Sequence, residues 1–306
     1  MIKSVTVINH LGESLKMELQ RPDTSGFYIQ SIEGLGPARA NINIAENSIL
    51  DGSSYNSARV SYRNIVMNLG FMFASDAEEI RHKSYKYFPL KKRITIQIET
   101  DSRICETYGY VESNEPNIFS NKESTQISII CPYPYFYDVG EKINNVVKFA
   151  GIEPMFSFPF SNESLDEPMI IFGEEPYKEE QFVNNLGDVD VGMYIHIHAI
   201  GNVSNIRIYS LISDEKIDIN TSRLKTITGE NHEIIDGDDI IISTIRGEKS
   251  ATLIRNSVRY NIINCLDRYS GWFQLTPGLN IFIYEADEGH RNLQFRIEYR
   301  TVYGGV

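Results

Sequence analysis

The chain has 306 residues, 42% of them apolar and 23% charged, with 18 Tyr, 15 Phe and one Trp. That composition supplies a folded core and excludes a disordered chain. Net charge is −12 and unevenly placed: residues 1–140 carry 14 Lys and Arg against 16 Asp and Glu, while residues 141–306 carry 15 against 25, so the second half disfavours phosphate backbones and anionic membrane surfaces.

From the N-terminus, MIKSVTVINH is too short and too polar for a signal peptide, and no apolar run is long enough for a membrane helix. The chain is expected to fold in a cytoplasm, with Cys105, Cys131 and Cys265 reduced; no CxxC occurs. A strand-like run breaks at Gly34-Leu35-Gly36-Pro37, and a polar excursion over 38–58 turns at Asp51-Gly52. Between Val60-Tyr62 and Ile65-Met67-Leu69 the apolar parity switches, which predicts a β-bulge near Arg63-Asn64. Ser75 and Glu78 form a capping-box pattern. Ala77, Ile80, Ser84 and Tyr87 then recur at helical spacing until Pro89, so a helix is predicted over 76–88.

Strict alternation follows at Ile94, Ile96 and Ile98, and again at Ile127, Ile129 and Cys131, as in half-buried antiparallel strands. A boundary falls after Asp138, giving domains 1–138 and 139–306. Over 141–187 the pattern weakens among Pro154, Pro159, Pro168 and Pro176. Strands return afterwards at intervals of about ten residues, the rhythm of a β-sandwich. Met193, Ile195, Ile197 and Ala199 mark one face of such a strand, and Leu293, Phe295, Ile297 and Tyr299 another.

The search for chemistry is mostly negative. Gly34-Leu35-Gly36-Pro37-Ala38-Arg39 fails as a dinucleotide loop: Arg39 stands where the third glycine belongs, and Pro37 lacks a donating amide. His196 and His198 share a strand face and could reach one zinc, with Asp188, Asp190 or His232 as a third ligand. They lie opposite the apolar stripe, so solvated or interface histidines are the simpler reading. Asp236-Gly237-Asp238-Asp239 lacks the spacing and closing Glu of a calcium loop and reads as a turn. Glu174-Glu175 and Glu179-Glu180 read as solvated charge rather than a glycosidase pair. The cysteines read as core. Trp272, beside Phe273, reads as core with sugar stacking as the alternative. No catalytic residue, metal or cofactor is expected, and the chain is not expected to be an enzyme.

In order and spacing the chain resembles the distal tail proteins of siphophages, a family of phage tail-ring and baseplate components. The residues are Ile32-Glu33-Gly34-Leu35-Gly36-Pro37, Asp51-Gly52, Arg59 with Arg63-Asn64-Ile65, a helix followed by Lys91-Lys92-Arg93, Gly109-Tyr110-Val111, Ile118-Phe119-Ser120 and Pro134-Tyr135-Phe136. In the second half they are Gly187-Asp188, Asn261–Leu266, Ser270-Gly271-Trp272-Phe273, Leu275–Asn280 and a terminal Arg-x-Tyr strand. The resemblance implies a mainly β chain: an N-terminal β-sandwich or split-barrel-like ring domain with one short helix, and a galectin-like C-terminal β-sandwich. The sugar-binding cluster of galectins is not recognisable.

The resemblance further implies a virion protein of the tail tip, assembled in the host bacterial cytoplasm. It would form a homo-hexamer ring closed by head-to-tail contacts. That ring would join the tail tube protein and tape measure protein to the tail tip hub protein and possible receptor-binding components. Neither sequence-specific nucleic-acid binding nor membrane insertion is implied. The excursion is long for a loop. Asn41, Ile42, Ile44, Ile49 and Leu50 are its candidate interface residues: an arm that pairs with a neighbour by β-addition, or a self-contained hairpin. The competing function is a carbohydrate-binding module that contacts the host surface through the C-terminal sandwich.

Overall fold

A computed structural model describes residues 1–46, 51–72, 77–120, 122–139, 145–149, 153–154, 173–174, 180–229 and 233–306. Two compact units divide the chain: Met1–Ile143 together with Val302–Val306, and Asn144–Thr301. In sequence, the second unit is therefore an insertion, and the last five residues return to the unit in which the chain begins.

The first unit contains β1 (Ile2–Ile8), β2 (Ser14–Glu18), β3 (Phe27–Glu33), β4 (Ala40–Glu46), β5 (Ser53–Val60), β6 (Arg63–Phe71), α1 (Ala77–Tyr87), β7 (Arg93–Thr100), β8 (Ile104–Pro116), β9 (Ser124–Cys131) and β10 (Phe136–Asp138). One antiparallel sheet runs β2-β1-β7-β8-β9-β6-β3. β10 pairs with β8 and also with a short C-terminal strand, Val302–Tyr303. The predicted alternation holds. Val5 and Val7, Ile94, Ile96 and Ile98, Ile65, Met67 and Leu69, and Ile127 and Ile129 all point into one core with Phe27 and Phe88. Helix α1 adds Ala77, Ile80 and Ser84 to that core. Acidic Glu78 and Glu79 in its first turn and Lys86 in its last complement the helix dipole.

The predicted bulge at Arg63-Asn64 is not there: β6 and β9 keep continuous register from Arg63↔Cys131 to Gly70↔Ser124. The parity switch has another cause. Val60 ends β5, which pairs only with β4 in a separate two-stranded sheet, and Arg63 begins a strand of the main sheet. Ser61-Tyr62 is the break between sheets, which produces the same local pattern as a bulge.

The second unit contains β11 (Asn145–Phe149), β12 (Glu153–Pro154), β13 (Gly173–Glu174), β14 (Glu180–Asn185), β15 (Met193–Ala199), β16 (Ser204–Ser210), β17 (Glu215–Ile219), the one-turn helix α2 (Leu224–Thr228), β18 (Asp239–Ser243), β19 (Ser250–Arg255), β20 (Val258–Asn261), β21 (Gly278–Glu288) and β22 (Leu293–Tyr299). A six-stranded sheet runs β11-β22-β15-β18-β19-β20 and a four-stranded sheet runs β14-β21-β16-β17. Their inner faces meet as in a sandwich. The Tyr284 and Phe295 rings lie 4.2 Å apart across the two sheets, and the Tyr299 hydroxyl donates to the Asn184 carbonyl at 2.7 Å.

Asp236-Gly237-Asp238-Asp239 forms the turn into β18, with Gly237 at φ +83°. Asp238 is buried there against Arg255, whose Nε donates to it at 2.9 Å. No helix among the described residues is long and apolar enough to cross a membrane. Ile49, Leu50, Ser75, Glu175, Glu179 and His232 lie outside the described residues.

Candidate assembly interface

Three separated motifs of the first unit meet at one side chain. Arg63 opens β6 and is almost fully buried. Its Nη1 donates to the Gly34 carbonyl and to the Gly36 carbonyl (2.6 Å), its Nε to Pro134 (2.7 Å) and its Nη2 to Gly304 (2.6 Å). The guanidinium lies 4.3 Å from the centre of the buried Phe136 ring. Burial pulls its pKa down from the usual arginine range. No ion pair to Arg63 occurs among the described residues, so four carbonyl dipoles meet the charge. A planar fork of five N–H donors suits that task.

Arg63 thus ties the start of the excursion, the Pro-Tyr-Phe element and the C-terminal tail to the first strand after the excursion. Gly34 is required at this node. It sits at φ +84°, and a Cβ there would lie 2.1 Å from the Asn64 carbonyl oxygen. Val306 completes the node by donating its backbone N–H to the Leu35 carbonyl at 3.0 Å.

The excursion rooted at this node is the β4–β5 hairpin. Every described residue of both strands is exposed. Its pairs run Ala40↔Val60, Asn41↔Arg59, Ile42↔Ala58, Asn43↔Ser57, Ile44↔Tyr55 and Ala45↔Ser54. A register shift between Asn43 and Ile44 skips Asn56, and so brings Tyr55 rather than Asn56 opposite Ile44. Facing residues of a pair share a side of the ribbon. One side therefore carries Ala40, Ile42, Ile44, Tyr55, Ala58 and Val60, and ends at the polar pair Glu46↔Ser53. The other side is polar: Asn41 donates to Ser61 Oγ (2.8 Å) and Asn43 to Ser57 Oγ (2.9 Å).

The apolar side has no cover among the described residues. Ile42 is 61% exposed, Ile44 56% and Tyr55 67%. A two-stranded ribbon is marginal alone in water, and an amphipathic one with a bare apolar side is built to be covered. Only the facing edges of β4 and β5 are paired inside the hairpin. This is the self-contained hairpin of the two readings of the sequence, and what it offers a partner is the apolar side and the outer edges of its two strands.

The other candidates separate clearly. Cys105, Cys131 and Cys265 are buried and joined in no disulfide. Burial pushes Cys131 up to about 11, so its thiolate is scarce at neutral pH and it is a poor nucleophile. Among the described residues no three His, Cys, Asp or Glu are grouped for a metal. His196 and His198 do lie on the outer face of β15, but the carboxylate beside His198 is Asp239, 2.8 Å away, rather than Asp188 or Asp190. Trp272 is half-buried instead of core, with the Lys249 ammonium 5.4 Å from its ring; Phe273 takes the buried place.

No family model and no curated protein matches the sequence. Solved structures do. The crystal structure of the SPP1 Dit protein covers 98% of this chain and 99% of its own, with a TM-score of 0.61 at 12% identity. The chain has the Dit fold. That SPP1 protein is described as a paradigm of the hub adsorption apparatus in phages that infect Gram-positive bacteria. Two structures of the phage P2 baseplate in its activated conformation, with Ca and with Sr, are also similar. They cover 97% and 96% of this chain and 98% and 97% of their own, at 14% and 13% identity, with TM-scores of 0.42 and 0.40. The fold shared with Dit brings the turn at Gly34–Gly36, the start of β6 and the Pro134–Phe136 element together at Arg63.

Proposed function

We propose that this chain is a structural, non-enzymatic subunit of a phage tail tip, which closes with copies of itself into a hexameric ring. One observation carries the reading: a chain with the Dit fold holds out a hairpin whose entire apolar side is unburied. The side chains are Ile42, Ile44 and Tyr55, flanked by Ala40, Ala58 and Val60. A surface of one copy that fits a different surface of the next gives a head-to-tail contact, which closes into a ring when the rotation allows. The hairpin fits such a contact because its base is fixed by Arg63 while its strands are exposed among the described residues.

In this role the first unit forms the ring. The ring joins the tail tube and tape measure proteins to the tip hub, and receptor-binding components attach to the second unit.

Removing residues 42–56 tests the reading. Asn41 pairs with Arg59, so joining Asn41 to Ser57 leaves Ser57-Ala58 as a two-residue turn and does not disturb the main sheet. The expected result is a folded chain that sediments as a monomer at concentrations where the intact chain assembles. Unchanged assembly by the shortened chain would remove the hairpin from the interface.

A further inference from the structure

The outer face of the six-stranded sheet carries an ordered grid of polar side chains that the assembly role does not use. Strands β22, β15, β18 and β19 lie side by side, and their register sets the rows. His196 stands between Arg296 and Ile241, and His198 between Gln294 and Asp239. Ile254 extends the second row beyond Asp239. A cavity of about 410 Å³ opens over these rows, lined by His196, His198, Asp239, Ile254, Gln294 and Arg296 among others. That volume falls in the range of small-molecule sites, roughly 300–1,000 Å³.

The groups are held by one another. Asp239 Oδ1 lies 2.8 Å from His198 Nδ1. Arg296 Nη2 lies 3.2 Å from His196 Nδ1, and Glu298 Oε2 lies 3.5 Å from His196 Nε2. Burial, reinforced by the Arg296 charge, lowers the His196 pKa and favours its neutral form. A neutral imidazole can accept at Nδ1 from the Arg296 guanidinium.

The chemistry of the wall selects a class of ligand. A divalent metal finds no group of three ligands here among the described residues. A phosphate polymer meets Asp239 and Glu298, within the chain's strongly acidic half. A purely apolar ligand would strand the amide, imidazole and guanidinium groups. What remains needs donors and acceptors side by side over a small apolar floor: Arg296, Gln294 and His198 to donate, Asp239 to accept, and Ile241 and Ile254 beneath.

We propose that this face of the second unit binds a neutral saccharide, with vicinal hydroxyls bridging Arg296, His198, Asp239 and Gln294 and the sugar's C–H surface resting on the isoleucines. The site is on the sheet and not at Trp272, which does not line the cavity. This binding would be independent of ring closure and would give a tail-tip subunit its own contact with a glycan.

Saturation-transfer NMR on the 306-residue chain tests it, with D-galactose, D-glucose, N-acetyl-D-glucosamine and L-rhamnose as neutral probes and sn-glycerol 3-phosphate as the anionic one. The expected result is transfer to at least one neutral sugar, accompanied by shifts of the His196 and His198 ring protons. The transfer is lost in His198→Ala/Arg296→Ala, whose melting temperature stays that of the parent because both side chains stand on the outer face. It persists in Trp272→Ala. No transfer to any of the four sugars overturns the proposal. So does transfer only to glycerol phosphate, transfer that survives in the double variant, or transfer abolished by Trp272→Ala alone.

Discussion

Replacing Arg63 by Met is expected to destabilise the first unit by about 3–5 kcal/mol, the largest single-residue effect we anticipate. Methionine keeps most of the buried volume but donates nothing. Four carbonyls, of Gly34, Gly36, Pro134 and Gly304, then lose their partner at once. Each buried acceptor left without a donor costs on the order of 1–3 kcal/mol, and partial access of water to the turn reduces the sum. Removal of the desolvated cation itself offsets part of the loss.

The measurement is calorimetry of the 306-residue chain, where the transition of the first unit should fall by roughly 10 °C. Arg63→Lys should fall between the two, since a point charge on a flexible stem cannot reach four carbonyls in a plane. A melting profile of Arg63→Met that matches the parent would show that the node is ornamental. The loss should also loosen the hairpin's root, because Gly34 and Gly36 lead directly into β4.

The second large effect concerns assembly alone. Ile42→Asp combined with Ile44→Asp should leave the subunit folded and abolish its self-association. Both side chains are exposed in the single chain, so substitution costs it little, within about 0.5 kcal/mol. In the assembled state each isoleucine would be buried, for about 1.5–3 kcal/mol per side chain. The aspartates also bring a desolvation cost of their own. Together they should weaken each contact by at least roughly a thousandfold. Sedimentation of parent and variant over a range of concentrations reads this directly. Asn43→Asp is the matching control: it lies on the polar side, opposite Ser57, and should leave assembly intact.

Much of the fold was legible because half-buried strands write their burial into the sequence with period two. Ile94, Ile96 and Ile98 in β7, and Met193, Ile195 and Ile197 in β15, point inward as the alternation requires. The same rule correctly set His196 and His198 outward. It failed at Arg63-Asn64, where periodicity records a change of face but not of sheet. A bulge and a passage between two sheets both insert one step, and only the partners distinguish them.

The hairpin itself was half legible. ANINIA alternates as a strand should, yet alternation does not say whether the apolar side is covered, and no described residue covers it. The role of Arg63 could not be read locally at all. Its acceptors are 27, 29, 71 and 241 residues away along the chain. The return of Val302–Val306 to the first unit was equally hidden, because a two-residue strand carries no periodic signal. The resemblance read from the sequence compensated in part: Gly34-Leu35-Gly36-Pro37, Arg63-Asn64-Ile65 and Pro134-Tyr135-Phe136 look unrelated in sequence and are one cluster in space.

The most direct test of the account is negative-stain electron microscopy of the purified chain across a concentration series, beside the Ile42→Asp/Ile44→Asp variant. The account predicts closed six-fold rings with a central opening wide enough for duplex DNA in the parent, and only single particles in the variant. Single particles at every concentration in both, with identical sedimentation, would contradict it.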